Sequence, residues 1–159
     1  MIVTQSALLL ALVTTPQHWL AMQKDWASES KLPAPVITSP ASKRIEVSLK
    51  TQTLTAYAGE TPVYTFNCST GKNNGTPAGT FPIRQKVRFN NALPEYGSAP
   101  IPYSLRLDIV INGVRKRIAI HAYKSVPRYP ASHGCIRLKH ADAAKLFDWA
   151  PVGIPVSIQ

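Results

Sequence analysis

Short alternating stretches broken by turn residues constrain this chain more than any other feature. From Lys43 onward, Ile45, Val47 and Leu49 alternate with Glu46, Ser48 and Lys50, the period of a strand with one buried face. Thr53–Ala58 and Val63–Cys68 continue the pattern across a Gly59-Glu60 turn. A loop with three glycines and a proline between Gly71 and Thr80 leads into a further strand, Phe81–Phe89. After a Pro-rich loop at Asn90–Pro102, Tyr103–Ile111 and Val114–Ile120 flank Asn112-Gly113, a dipeptide suited to a two-residue hairpin turn. Only His140–Trp149 changes period: it places Ala143, Leu146 and Phe147 on one helical face, with Gly153 as the stop and Pro155–Ile158 as a closing strand. The pattern predicts a mainly β domain with one short helix.

The 159 residues suffice for one domain with a core of its own. Two cysteines, Cys68 and Cys135, allow at most one bridge and exclude a disulfide-dense scaffold. Residues 31–42, KLPAPVITSPAS, carry three prolines and read as a linker, since such a run suits neither a helix nor a central strand. Ahead of it, Ala7–Val13 is apolar, too short to span a bilayer but of the length found in a signal peptide. Residues 1–30 are therefore expected to be a signal or N-terminal segment, 31–42 a linker and 43–159 the folded domain. No transmembrane helix is expected, and the signal reading places the domain in the periplasm, the cell envelope or outside the cell.

Chemistry concentrates in one region. Ile118-Ala119-Ile120-His121 reads as a buried strand ending on a histidine, and Ser132-His133-Gly134-Cys135-Ile136-Arg137-Leu138 follows after a short loop. A cysteine attacks as its thiolate, which a neighbouring imidazolium or guanidinium stabilises. His133 is two residues from Cys135, so in an extended segment the two side chains are about 6–7 Å apart, long for direct proton transfer. His121 comes from another strand and escapes that restriction, which makes it the candidate general base and later general acid. His133 becomes a supporting or oxyanion-side group. Gly134, lacking a Cβ, would let a substrate approach the backbone, and the Gly134 and Cys135 N–H groups are candidate oxyanion donors. Arg137 shares the Cys135 face if the strand persists, where it could stabilise the thiolate or bind a substrate carboxylate. Ser132 opens the motif as a further candidate for substrate binding.

With its upstream Ile120-His121, the Ser132–Leu138 motif resembles the signature of the L,D-transpeptidase (YkuD-like) catalytic domain family. Further matching pieces are Ile45–Leu54, Ser69-Thr70-Gly71-Lys72, Thr76-Pro77-Ala78-Gly79-Thr80-Phe81, Pro102-Tyr103 and Val152–Val156. The resemblance covers about residues 43–159. It implies a β-sandwich of mixed sheets with one short helix after the catalytic cysteine. It also implies acyl transfer through a Cys135 thioester, with His121 oriented by a backbone carbonyl, that of Ala122, and Tyr103 near the oxyanion. Donors in the family are peptidoglycan stem tetrapeptides, which lose D-alanine and are joined to an amine of another stem in a 3→3 cross-link. Carbapenem-type inhibitors are implied ligands. Water as acceptor would make the same site an L,D-carboxypeptidase.

Other readings fit less well. Cys135, His121, His133 and His140 form a nominal metal set, but the one-residue gap between His133 and Cys135 is not zinc-ligand spacing; no metal or cofactor is expected. A papain-like arrangement would place the cysteine before its histidine. Cys68 reads as a buried structural thiol, and His18 and His140 as exposed or capping residues. The net charge is +10, and residues 84–139 hold eleven Lys and Arg against Glu95 and Asp108, leaving +9. Such an excess would also suit a non-catalytic module binding an anionic polymer, but no nucleic-acid motif accompanies it, so no nucleic-acid partner is expected. It is read instead as a field over the site that attracts acidic wall peptides and depresses the Cys135 pKa.

Overall fold

The computed structural model describes residues 43–92, 94 and 98–159. The expected signal segment, His18, the 31–42 linker and Glu95 lie outside the described residues. Among the described residues, ten strands and one helix follow in the order β1 Lys43–Ser48, β2 Thr53–Ala58, β3 Thr61–Asn67, β4 Gly79–Val87, β5 Ser104–Leu107, β6 Ile109–Ile111, β7 Val114–Lys116, β8 Ala119–Ala122, β9 Ile136–Leu138, α1 His140–Trp149 and β10 Pro155–Ile158. The main array runs β3-β2-β1-β10-β4-β5-β8-β9. It comprises two mixed sheets that share β4, with β1–β10 and β8–β9 parallel and the other pairs antiparallel. A register shift between Ile83 and Gln85 supplies the bend by which one strand serves both sheets. This is the mainly β, mixed-sheet architecture with one short helix that the sequence predicts.

Alternation decides what is buried. Ile45 and Val47 on β1, Leu54 and Ala56 on β2, and Val156 and Ile158 on β10 meet Leu105, Leu107, Ile120, Ile136 and Leu138 in one core. The helix adds Ala143, Leu146 and Phe147, its i, i+3, i+4 stripe, and packs on β8 and β5. Its end differs from the expected stop. Ala150 is already extended (φ −85°, ψ 116°) because the following Pro151 disfavours helical geometry in the residue before it. The carbonyls left over at that end are met from outside: Lys43 Nζ donates to Trp149 O at 3.0 Å and Lys86 Nζ to Ala150 O at 2.7 Å. These are cations placed where the helix dipole is negative.

Two long strands of the sequence reading are each two strands. Leu105, Leu107 and Ile109 stay buried across the break, so the period-2 signal continues although the chain leaves the main array at Asp108. There the Asp108 N–H donates to Pro82 O, and β6 and β7 form a separate hairpin around Asn112-Gly113.

The loop before β4 is clasped to the loop before β9. Thr76 Oγ1 accepts from Gly71 N–H at 2.7 Å and donates to Gly134 O at 2.7 Å. Ala131 N–H and Ser132 N–H donate to Thr70 O, and Lys72 N–H donates to Ser132 O. A Cβ on Gly71 would stand 2.8 Å from Gly134 Cα, so the two backbones fit only without it. Behind the clasp, fully enclosed Gln52 accepts from Thr70 N–H at 2.8 Å and donates to Leu49 O and Thr70 Oγ1 at 2.7 and 2.8 Å.

Thr76→Val keeps the shape and strands two buried backbone groups, so it should cost about 1–3 kcal/mol in urea unfolding. Thr76→Ser, which keeps the hydroxyl, should recover most of that. Equal losses in the two variants would show that the methyl, not the hydroxyl, matters.

Candidate active site

Parallel pairing of β8 with β9 sets Ile120 beside Ile136 and His121 beside Arg137; extended by one residue, it sets Ala119 beside Cys135. His121 and Cys135 both line a cavity of about 1340 Å³ together with Ser132, His133, Gly134 and Arg137. Tyr103 is not brought into that lining. Its ring packs edge-on against Phe147 and His140, with centroids 5.8 and 5.1 Å apart, and Arg88 stacks on it. The φ of +56° at Tyr103 belongs to the turn into β5. His140, held in this aromatic contact, is not part of the Cys135 cavity lining.

His121 is buried, with Nδ1 2.8 Å from Ala122 O. A carbonyl only accepts, so Nδ1 carries the proton, and the neutral ring keeps its lone pair on Nε2. This is the backbone contact that the resemblance implies. Burial pushes the His121 pKa down from its ordinary 6.5, the hydrogen bond to Ala122 opposes this, and the Arg137 charge adds to it. Cys135 is half-buried and free. Burial pushes its thiol up from the usual 9.0, against the Ala119 N–H and the Arg137 charge, which both favour the thiolate.

The expectation that the basic field depresses the Cys135 pKa is thereby corrected, because loss of water around the sulfur outweighs the nearby cation. The resting pair is thiol and neutral imidazole. Cys68 is more extreme: it is wholly enclosed, and burial alone pushes it up to about 12.

Gly134 also differs from expectation. Its N–H donates to Ser132 Oγ at 3.0 Å, so it is committed within the loop. The room left by its missing Cβ is filled by Gly75 O, which a Cβ would meet at 2.9 Å, and its φ is +147°. The missing Cβ is thus taken up by loop packing, while the residue still lines the cavity. Ser132, buried, donates in turn to Cys135 O at 2.5 Å, so its hydroxyl holds the loop on both sides of Gly134. Arg137 is pinned by paired backbone bonds to Ser69, and its guanidinium lies 4.2 Å over the Tyr123 ring. His133 is exposed at the cavity wall.

Two residues escape the sequence reading. Thr76 sits in a recognisable segment, but its bridge to Gly134 spans 58 positions. Ser104 is completely buried, lines the cavity, and its Oγ has no partner among the described residues. Extending the β5–β8 register by one residue places it beside His121, a neighbour no linear motif reveals.

The description of the YkuD family, an L,D-transpeptidase catalytic domain, matches residues 42–158. The chain belongs to the YkuD family. Its fold is similar to an L,D-transpeptidase from Mycobacterium smegmatis, with a TM-score of 0.64 and 22% identity over 75% of this chain and 59% of that one. It is also similar to residues 123–326 of the Xylanimonas cellulosilytica L,D-transpeptidase (TM-score 0.63, 25% identity, 91% of this chain, 70% of that one). A third similar structure is L,D-transpeptidase 3 from Mycobacterium tuberculosis in complex with a faropenem-derived adduct (0.61, 18%, 74% and 60%). The YkuD chain thus spans about 59% of the first of these neighbours. No curated protein sequence matches it.

Because both partners of this YkuD site rest neutral, iodoacetamide should alkylate Cys135 at a rate that keeps climbing as pH passes 9, with Cys68 unlabelled. A rate that levels off below pH 7 would mean a preformed thiolate–imidazolium pair.

Proposed function

We propose that this domain is a peptidoglycan L,D-transpeptidase that works through a Cys135 thioester. The observation that carries the reading is the shared cavity of Cys135 and His121, with the His121 proton fixed on Nδ1 by Ala122. His121 Nε2 takes the thiol proton as Sγ attacks the carbonyl of the third stem residue. With the Gly134 amide engaged by Ser132, the Cys135 N–H is the backbone donor left for the oxyanion, and exposed His133 supports it from the cavity wall. Collapse of the tetrahedral adduct breaks the amide and passes the His121 proton to the departing D-alanine. An amine of a second stem then attacks the thioester, His121 removes its proton, and the thiol is restored with a 3→3 cross-link. Arg137, beside His121, binds substrate from the same wall.

The acyl-enzyme step explains why β-lactams of the carbapenem and penem type are suitable probes, as the faropenem-derived adduct on the M. tuberculosis neighbour suggests. The apolar run in residues 7–13 supports action outside the cytoplasmic membrane. Among the described residues no helix is long and apolar enough to cross one.

Incubation with imipenem or a disaccharide-tetrapeptide, read by intact mass, should give one covalent adduct or a cross-linked dimer, and Cys135→Ala should give neither. His121→Ala should slow acylation by about 100-fold or more, with His133→Ala within about tenfold. An adduct on Cys135→Ala, or the reverse ranking of the histidines, overturns the reading. Tripeptide without dimer would assign L,D-carboxypeptidase activity instead.

A further inference from the structure

The cavity that holds Cys135 is lined by six cations: Arg84, Arg106, Arg115, Lys116, Arg117 and Arg137. Among the described residues no Asp or Glu lines it. Elsewhere on the domain several basic groups are engaged, while Lys50, Lys72, Lys124, Lys139 and Lys145 stand exposed with no ion pair among the described residues. Arg44 pairs with Glu46 and Glu60, Arg88 with Asp148, and Lys43 and Lys86 are turned onto the carbonyls ending α1. Around the cavity only Arg115 meets a carboxylate, that of Asp108. Arg137 has an aromatic ring and Arg106 the neutral Gln85 Oε1 at 3.1 Å. Five of the six cavity cations thus have no carboxylate partner among the described residues, and they stand around the cavity that holds Cys135.

Strand register places one of these cations with respect to the chemistry. Arg106 pairs with Ala119 across β5 and β8, and the extended β8–β9 register puts Cys135 on the other side of Ala119. Arg106 is thus two strand spacings, about 10 Å, from the nucleophile's backbone, within reach of a neighbouring group on a peptide whose carbonyl sits at Sγ. Two residues back along β5 lies Ser104, fully buried, with Oγ unpartnered among the described residues and at the cavity wall. This hydroxyl is a second, independent sign that a polar ligand occupies this side of His121.

We propose that the cavity selects donor peptides whose carboxyl groups are free over the same peptides with those groups amidated, and that Arg106 is the specificity-determining residue. A guanidinium holds a carboxylate through charge-assisted, bidentate hydrogen bonds, whereas a primary amide offers it one neutral oxygen. The surrounding cations raise the local concentration of an anionic peptide and so act on encounter, an effect that salt screens. The inference rests on the acyl-transfer reading above and names its substrate class.

The test compares a disaccharide-tetrapeptide bearing free carboxyls with the same compound carrying primary amides on its side-chain carboxyls, following D-alanine release. The free form should be favoured in kcat/KM by about tenfold or more at low salt, and the ratio should shrink in about 0.5 M NaCl. Arg106→Gln should bring the ratio to within about threefold, and Arg106→Lys should retain part of it. Lys145→Gln removes the same charge on the exposed side of α1 and should leave the ratio alone. Cys135-dependent release with equal kcat/KM for the two peptides, or a ratio indifferent to Arg106→Gln, overturns this inference while leaving the acyl-transfer reading intact. Release that survives Cys135→Ala overturns the acyl-transfer reading itself.

Discussion

The Thr76 hydroxyl, held between Gly71 N–H and Gly134 O, is the contact on which the site's geometry turns. Cys135 lies between β9 and an irregular loop, and a loop alone fixes a side chain poorly. Here it is fixed because Gly71 and Gly134 bring two loop backbones too close for a Cβ, and Thr76 satisfies the polar groups enclosed between them. Gln52 anchors the far side of the same clasp through Thr70. Ser132 closes the near side by bonding to the groups on both sides of Gly134. Cys135 thus stands on a small hydrogen-bonded scaffold that the two sheets support.

The scaffold also sets the electrostatics. Packing that closely removes water from around His121 and Cys135, and the loss of hydration penalises the charged form of each. The two pKa values consequently move apart in the direction that keeps both groups neutral, His121 down and Cys135 up. In the proposed acyl transfer, a neutral pair defers charge separation to the moment of attack, when the imidazolium and the oxyanion would form together in a cavity lined with cations. On that proposal the basic excess acts on substrate encounter and selection, not on a preionised thiol.

Much of this was legible in the chain. The period-2 runs mark β1, β2 and β10 almost to the residue, and the i, i+3, i+4 stripe marks α1. The His-Gly-Cys motif with its upstream histidine points to Cys135 and His121, which the fold brings to one cavity. What stayed hidden has physical causes. The break at Asp108 is invisible because Leu107 and Ile109 remain buried on either side of it. The Cys135 pKa was misjudged because a charge count says nothing about desolvation. Gly134 was read for its freedom to admit a substrate, when the atom filling its space, Gly75 O, comes from a segment far away in sequence. Tyr103 sits in the turn just ahead of β5 and not in the strand expected to begin there, and its ring packs with Phe147 and His140, an orientation set by tertiary packing.

Ala122 O holds a neutral His121 imidazole with its proton on Nδ1, and the proposed chemistry needs that ring to accept from the Cys135 thiol. Nitrogen-15 NMR of the histidine side chains across a pH titration reads this tautomer. His121 should show a single Nδ1–H form at neutral pH and titrate below 6.5. A His121 ring that is cationic at pH 7, or that carries its proton on Nε2, would contradict it.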